Sequence, residues 1–235
     1  HNAALTRLVE AAVRETGSTF LIGSPTLEGP PGQERYFNSA YLLSPDKAPL
    51  GRYDKAHLVP FGEYVPLRRW LPFLGKIVAQ VGDFAAGAPG SVIPWERAAL
   101  GPLICYEGIF PELARAQVRA GAALLVNLTN DAWYGRTSAP YQHFALAAFR
   151  AVENRRSLVR AANTGISGVV DPLGRVAAAT PLFADAALVQ AVPLAAGRLT
   201  LYTRLGDWFP LTCLLAALLL AAGPGRRAPD APPAS

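Results

Sequence analysis

The sequence predicts an α/β layered domain. Segments whose apolar residues recur with helical spacing alternate with short apolar runs that are typical of strands, and turn signals join some of these runs into hairpins. This alternation is typical of helices packed on sheets rather than of a helical bundle. With 235 residues the chain is long enough to bury a sizeable core, and one large domain is the simplest interpretation.

The first part of the chain is predicted to form one helix followed by strands. The helix covers residues 3–14, and its apolar face consists of Leu5, Leu8, Val9 and Ala12. The predicted strands are residues 19–23, 36–43 and 50–55. Residues 24–35 are rich in glycine and proline and are expected to form a loop. Residues 57–97 are predicted to be a long irregular stretch, which in a compact domain is usually a lid or a binding loop.

The second part alternates more regularly. Residues 98–104 are predicted to form a buried strand, and a helix at 111–120 follows with Pro111 in its first turn. After a strand at 123–127 and a loop at 130–135, a second helix is expected to continue to about residue 155. The remaining predicted strands are residues 158–162, 166–170 and 175–179.

The end of the chain has a different character. Residues 211–222 are twelve residues without charge, which cover only roughly 18 Å of a membrane core about 30 Å thick. Length alone therefore favours a buried helix. The flanks favour a transmembrane helix, because Trp208 and Phe209 precede the run and Arg226 and Arg227 follow it. If it spans, the two arginines lie in the cytoplasm and the globular part lies on the other side.

The composition argues against several functions. Charged residues make up 17% and apolar residues 51% of the chain, and the mean hydropathy is +0.21, so the chain is more apolar than an ordinary soluble domain. The net charge is +5, but the lysines and arginines are dispersed, which argues against nucleic-acid binding. Cys105 and Cys213 predict no disulfide, and the three histidines show no metal-ligand spacing. No metal and no cofactor are expected.

Cys105 is the first candidate for a chemical role. It lies between the predicted strand 98–104 and the helix that Pro111 starts, and this edge of an open α/β sheet is where ligands bind. A nearby helix amino terminus also favours a thiolate. A nucleophilic thiolate needs a base and a positive donor, for which Glu63 or Glu107 and Lys55 are candidates. The alternatives are a buried structural cysteine and solvated surface charges.

Three stretches carry a resemblance to a known family. They are residues 55–66 (KAHLVPFGEYVP), 104–113 (ICYEGIFPEL) and 127–135 (NLTNDAWYG). In this order they resemble the nitrilase superfamily and, within it, the membrane-bound branch of apolipoprotein N-acyltransferases. Further matches are residues 142–143, 150–154 and 160–167, so that the resemblance extends over nearly all of residues 1–222.

The resemblance implies a four-layer α-β-β-α sandwich with a Glu-Lys-Cys triad. By motif position Cys105 matches the nucleophile, Lys55 the oxyanion-stabilising lysine and Glu63 an additional essential glutamate, while Tyr106 and Glu107 match the supporting Tyr-Glu pair that follows the nucleophile. The triad's own glutamate belongs to a W-P-E-like motif that this chain does not contain.

The chain has no methionine and begins with His1, and together with the missing glutamate this predicts the carboxyl-terminal part of a longer enzyme, inactive by itself. The expected organisation is a catalytic domain at 1–200 without its first strand and catalytic glutamate, a membrane-proximal segment and transmembrane helix at 201–222, and a disordered cytoplasmic tail at 223–235.

The activity implied by the resemblance is transfer of a fatty acyl chain through a Cys105 thioester. The donor is a phospholipid, and the acceptor is the α-amino group of a diacylglyceryl-cysteine at the amino terminus of a bacterial apolipoprotein. The implied location is the inner membrane, with the catalytic domain on the periplasmic side. Within 57–97, the apolar residues Trp70, Leu71, Phe73 and Leu74 would form a lid or an entrance for acyl chains, or a packed surface loop. The alternative activity is that of an amidase which releases the acyl group to water, and a non-catalytic membrane-associated module is a third interpretation.

Overall fold

The computed structural model describes residues 3–46, 48–66, 83–195 and 197–222. Its helices are α1 (Ala3–Thr16), α2 (Pro111–Arg119), α3 (Ala139–Asn154), α4 (Leu201–Leu205) and α5 (Trp208–Ala222). Its strands are β1 (Phe20–Glu28), β2 (Arg35–Leu43), β3 (Pro49–Asp54), β4 (Ile93–Trp95), β5 (Ala98–Ile104), β6 (Leu124–Asn130), β7 (Ser157–Asn163), β8 (Gly168–Val170) and β9 (Val176–Ala179). The predicted alternation of helices and strands is therefore present.

The described strands form two sheets. The smaller sheet is antiparallel in the order β1-β2-β3, and the larger has the order β4-β5-β6-β7-β8-β9. In the larger sheet, β5, β6 and β7 are parallel neighbours, while β4, β8 and β9 are added by antiparallel pairing. Because parallel strands end at the same edge, the residues that follow β5, β6 and β7 lie near one another.

Two apolar cores hold the layers together. One lies between the sheets and contains Ala40 and Leu42 of β2, with Leu100 and Ile104 of β5 among its partners. The other lies between the larger sheet and helices α2 and α3, and its buried members include Leu103. Neighbouring residues of β5 thus serve opposite cores, as the side-chain alternation of a strand requires. One face of the larger sheet is covered by helices and the other by the smaller sheet. This double burial explains why the central strands of the larger sheet are so rich in apolar residues.

Two predictions about the first hundred residues are wrong. Residues 24–35 were expected to form a loop, but β1 continues to Glu28 and pairs with β2 down to Glu28 opposite Arg35. Pro25 fits because β1 is an edge strand of the described sheet, where a missing N–H breaks no essential pairing. The stretch 57–97 contains strand β4, which turns tightly into β5 through Glu96 with a φ of +51°. No glycine or asparagine marks this turn, so its sequence gives no hairpin signal.

Some sequence predictions lie outside the described residues. They are the lid residues Trp70, Leu71, Phe73 and Leu74, and the tail at 223–235.

The short helix α4 joins the last apolar helix to the body of the protein. Thr200 caps α4 by accepting a hydrogen bond from the backbone N–H of Thr203, and the Thr200 hydroxyl donates to the carbonyl of Glu153 in α3. At the other end of α4 the Arg115 guanidinium of α2 donates to the carbonyls of Tyr202, Thr203 and Arg204. These bonds attach α4, which directly precedes α5, to helices α2 and α3.

Helix α5 is exposed along its whole length. All six of its leucines are exposed, and none of its residues is buried. Across the described ranges, no helix combines the length and apolar character needed to cross a membrane.

Candidate active site

Cys105 lies immediately after β5, where the chain turns sharply. It is the first residue of a short 3-10 turn, Cys105–Ile109, and its φ is +53°. A positive φ is uncommon for a residue with a β-carbon and is found mostly where surrounding contacts enforce it. The thiol-bearing residue is partly buried and lines a cavity. The predicted position, at the carboxyl end of a strand and before the helix that Pro111 starts, is confirmed.

The cavity has a volume of about 910 Å³ and is mostly apolar. Residues from both sheets and from the loops that follow their strands surround it. They are Gly23, Asn38, Lys55, Val59, Gly62, Glu63, Phe84, Ile104, Cys105, Tyr106, Leu128, Thr129, Asn130, Trp133, Tyr134 and Ala161. A concave apolar space with a few polar groups is the usual form of a ligand site.

Lys55 and Glu63 form an ion pair in the wall of this cavity. Lys55 directly follows β3, its side chain is only 1% exposed, and its Nζ lies 2.7 Å from Oε2 of Glu63. The same carboxylate accepts hydrogen bonds from the backbone N–H of Val59 and from the Asn38 side-chain amide, both at 2.9 Å. A buried ammonium requires such a partner, and three donors hold the carboxylate in place. The structure therefore brings Lys55, Glu63 and Cys105 to one cavity.

Glu107 is fully buried and is not among the residues that line the cavity. One oxygen accepts hydrogen bonds from the backbone N–H groups of Ala56 and His57, at 2.7 and 2.9 Å, and the other from that of Ile104 at 2.7 Å. The Tyr53 hydroxyl lies 3.0 Å from both oxygens. Burial raises the pKa of Glu107, while these donors act in the opposite direction. The side chain links the segment that carries Lys55 to strand β5, which ends directly before Cys105.

Aromatic side chains form part of the cavity wall. Tyr106 is 37% exposed and packs edge-on against Phe110, with 5.4 Å between ring centroids. Trp133 is 87% exposed, so most of its indole surface contacts solvent. Burial, followed by the charge of Cys105, raises the pKa of the neighbouring Tyr134.

A buried polar network lies beneath the cavity, and sequence reasoning assigned it no role. It consists of Asn127 in the middle of β6, Asp131 directly after β6, His143 of α3 and Arg160 of β7. Arg160 donates to Asp131 Oδ2 at 2.7 Å and to the side-chain oxygen of Asn127, and His143 Nδ1 lies 3.0 Å from Asp131 Oδ1. Charged residues in otherwise apolar strand segments were the signal that could have found it.

The charges of this network balance each other. Burial lowers the pKa of Arg160, and the adjacent Asp131 carboxylate opposes this effect. For Asp131, burial favours the neutral acid, but the His143 hydrogen bond and the Arg160 charge together lower its pKa below the ordinary value. In the described ranges no group of three or more His, Cys, Asp or Glu side chains is arranged to hold a metal ion.

Replacing Asp131 by asparagine is expected to destabilise the fold by about 3–5 kcal/mol at pH 7, because Arg160 is left as a buried charge without its counter-ion. Since the pKa of Asp131 is lowered by folding, its contribution is complete above an unfolded pKa of about 3.9 and is lost as the pH falls through the folded value. Urea unfolding in detergent should therefore show a smaller difference between wild type and variant at pH 3 than at pH 7.

The control for this prediction is Asp171→Asn. Asp171 pairs with Arg175, whose side chain is 75% exposed, so its replacement should change stability much less. An Asp131→Asn protein as stable as Asp171→Asn at pH 7 would contradict the importance of the buried pair.

Comparison with known proteins agrees with this architecture. The family model for carbon-nitrogen hydrolases matches residues 1–202. Among curated relatives, the apolipoprotein N-acyltransferase of Geobacter metallireducens is 50% identical over 219 residues, which are 93% of this chain and 42% of that protein. The apolipoprotein N-acyltransferase of Gloeobacter violaceus is 46% identical over 185 residues, 78% of this chain and 35% of that protein. The chain thus spans about two fifths of the length of the curated relatives it matches.

Solved structures give the same result for the fold. The crystal structure of an amidase from Nesterenkonia sp. superposes with a TM-score of 0.55 at 28% identity, covering 77% of this chain and 63% of that chain. A variant of the amidase from Nesterenkonia sp. AN1, with the same TM-score, identity and coverage, carries the acetamide moiety of fluoroacetamide covalently added at its active-site cysteine. The nitrilase-like α/β fold and the resemblance read from the motifs are confirmed. The chain belongs to the carbon-nitrogen hydrolase family.

Proposed function

We propose that the complete gene product transfers a fatty acyl chain from a phospholipid to the amino-terminal diacylglyceryl-cysteine of an apolipoprotein, and that Cys105 carries the acyl group between the two. The observation that carries this proposal is the cavity itself. It brings a cysteine with a positive φ, a buried lysine and a fixed carboxylate together in a largely apolar space of about 910 Å³. The name shared by the curated relatives supplies the substrate class.

The first half of the reaction forms a thioester. The Cys105 thiolate attacks the ester carbonyl of the phospholipid, the carbon–sulfur bond forms, and the bond from that carbon to the glycerol oxygen breaks. Lys55 stabilises the negative charge on the carbonyl oxygen in the tetrahedral intermediate, and Glu63 holds the lysine in position. The thiol proton passes to a general base and then to the departing lysophospholipid. In this proposal the base is the glutamate of the W-P-E-like motif, which the motifs of this chain do not include.

The second half consumes the thioester. The α-amino group of the diacylglyceryl-cysteine attacks the thioester carbonyl, an amide bond forms, and the carbon–sulfur bond breaks to restore the thiol. The amine loses one proton to the same base, which returns it to the sulfur. Tyr106 contributes to the cavity wall beside the nucleophile, whereas Glu107 acts through the backbone it holds.

An amidase that passes its acyl group to water is the second candidate. The observation in its favour is the amidase fold found in the Nesterenkonia structures, which share the layered architecture at 28% identity. Two features favour transfer to a lipidated acceptor instead. The cavity lining is mainly apolar, and an exposed helix of apolar residues follows the catalytic domain.

The discriminating experiment supplies the complete gene product with a palmitoyl phospholipid and a diacylated lipopeptide. We expect an enzyme-bound palmitoyl thioester by mass spectrometry, followed by a triacylated peptide whose formation depends on the added acceptor. Release of free palmitate at the same rate with and without the lipopeptide would favour the hydrolase and contradict the proposal.

We further propose that the protein works at the bacterial inner membrane, with residues 1–200 as the catalytic domain on the periplasmic side and 201–222 as its membrane-attached segment. In this arrangement α5 forms the transmembrane helix, and residues 223–235 follow it into the cytoplasm. This proposal is supported by the apolar surface of α5, whose six leucines are all exposed and thus suited to a lipid environment.

Membrane attachment through α5 predicts that the chain stays with membranes during alkaline carbonate extraction. Replacing both Leu214 and Leu218 by lysine should release a large share into the supernatant, because each lysine is costly in the hydrocarbon region. The matched control is Leu173→Lys, since Leu173 is 56% exposed in a surface turn and Leu214 is 57% exposed in α5. Complete release of the unaltered chain would rule out α5 as an attachment.

A further inference from the structure

We propose that Asn127 and Arg160 are positioning residues for Cys105, which hold the backbone of the nucleophile in its turned conformation from beneath the cavity. The inference rests on the proposed role of Cys105 as the acyl carrier. It concerns the buried polar network for which the reaction steps above have no use.

The turn at Cys105 requires outside support. Its φ of +53° is unfavourable for a residue with a β-carbon, and the following residues form only a short 3-10 turn before α2. On one side the Glu107 carboxylate holds the N–H of Ile104. On the other side the carbonyls of Leu103 and Cys105 face Asn127, which lies in the middle of the neighbouring strand β6 and is the register partner of Leu103.

The Asn127 side chain provides the contact to the turn. Its amide nitrogen donates to the carbonyl of Leu103 at 2.8 Å and to that of Cys105 at 3.2 Å. The turn also packs directly on this amide, because a β-carbon added to Gly108 would lie only 3.2 Å from the same nitrogen. One fully buried amide therefore contacts Leu103, two residues before Cys105, Cys105 itself, and Gly108, three residues after it.

Arg160 determines which way the Asn127 amide faces. Asn127 and Arg160 are register partners in the parallel pair β6–β7, and the Arg160 guanidinium donates to the Asn127 side-chain oxygen. With that oxygen engaged, the NH₂ group must point to the turn. Arg160 is itself fixed by Asp131 at 2.7 Å and by the carbonyl of Ile166 at 3.2 Å. The contacts thus run from the Asp131–Arg160 ion pair through the Asn127 amide to the carbonyl of Cys105.

The consequence for catalysis is alignment. Acyl transfer needs the sulfur, the ester carbon and Lys55 in one geometry, and a misplacement of about 1 Å can lower such a rate by about 100-fold. Alkylation by iodoacetamide does not require this alignment with Lys55, because it needs only an accessible thiol. The two reactions can therefore separate correct positioning of Cys105 from its mere presence.

The test replaces Asn127 by aspartate in the complete gene product. Aspartate has the same shape and still accepts from Arg160, but it presents an oxygen instead of a donor to the carbonyls of Leu103 and Cys105. The matched control is Asn154→Asp. Asn154 is equally buried, donates to the carbonyl of Arg150 and accepts from Thr203, but it lies at the end of α3 away from the cavity.

We expect the single-turnover rate of thioester formation to fall by about 100-fold in Asn127→Asp and by less than about threefold in Asn154→Asp, with KM for the phospholipid little changed in both. Alkylation of Cys105 should stay within about threefold of wild type. Should Asn127→Asp fail to fold, Arg160→Lys provides the same test, because lysine cannot engage Asp131, Asn127 and Ile166 together.

Equal thioester rates in the Asn127 and Asn154 variants would overturn the inference, and so would a parallel loss of alkylation and acylation. Thioester formation by a Cys105→Ala protein would instead overturn the proposed function itself, so the two failures are distinguishable.

Discussion

Acyl transfer is expected to fall by roughly 10⁴-fold or more when Cys105 is replaced by serine, because the reaction then lacks a thiolate and a serine hydroxyl is a weak nucleophile at its ordinary pKa. Cys105 is the residue that combines a position on the cavity wall with a positive φ at the carboxyl end of β5. The measurement is the rate of triacylated lipopeptide formation, together with the mass of the trapped thioester.

Cys213→Ser is the matched control for this variant. Cys213 lies on the exposed helix α5 and is a free thiol like Cys105, so the same chemical change is made away from the cavity. Its transfer rate should be close to that of wild type. If the Cys105→Ser protein transferred palmitate at the wild-type rate, the nucleophile would have to be assigned elsewhere.

Replacing Lys55 by methionine is expected to slow thioester formation by about 10²–10³-fold, the usual effect of removing one group that stabilises an oxyanion. Methionine fills a similar volume in the buried site, and the Glu63 carboxylate keeps its bonds from Asn38 and Val59. The substitution should therefore lower kcat and leave KM nearly unchanged.

Arg52→Met serves as the control for Lys55. It removes a positive charge from the preceding strand β3, where Arg52 pairs with Asp54 and Glu28 and does not line the cavity. Thioester formation should be nearly unchanged in this variant. Normal thioester accumulation in Lys55→Met would remove the proposed oxyanion role of Lys55, whatever the result for Arg52.

The sequence predicted the immediate surroundings of Cys105 well because they depend on local signals. An apolar strand, a cysteine and a proline-started helix follow each other within twenty residues, and each has its own pattern. Lys55 and Glu63 are also close in sequence, and their ion pair needs only the loop between them to fold back. These residues meet in one cavity, although Lys55 follows a strand of the smaller sheet and Cys105 follows a strand of the larger one.

The supporting groups could not be predicted in the same way because their partners are distant in the chain. Asn127 meets Arg160 only after β6 and β7 pair in one particular register, and Asp131 and His143 come from a loop and a helix. Strand β4 and the extension of β1 likewise depend on pairing with another strand rather than on their own composition. Long-range pairing, which local patterns do not encode, decides each of these features.

The bonds of the Glu107 carboxylate determine which changes of sequence this protein can tolerate during evolution. It bonds to Ala56 and His57, which follow the smaller sheet, and to Ile104, which ends a strand of the larger one. Glu107 thus joins the segment that carries Lys55 to the strand that precedes Cys105, in addition to the apolar packing between the two sheets. Insertions or deletions after Glu63 and before β4 are expected to leave these bonds in place, because Ala56, His57 and Ile104 lie outside that stretch. Substitution of Glu107 removes all of them at once.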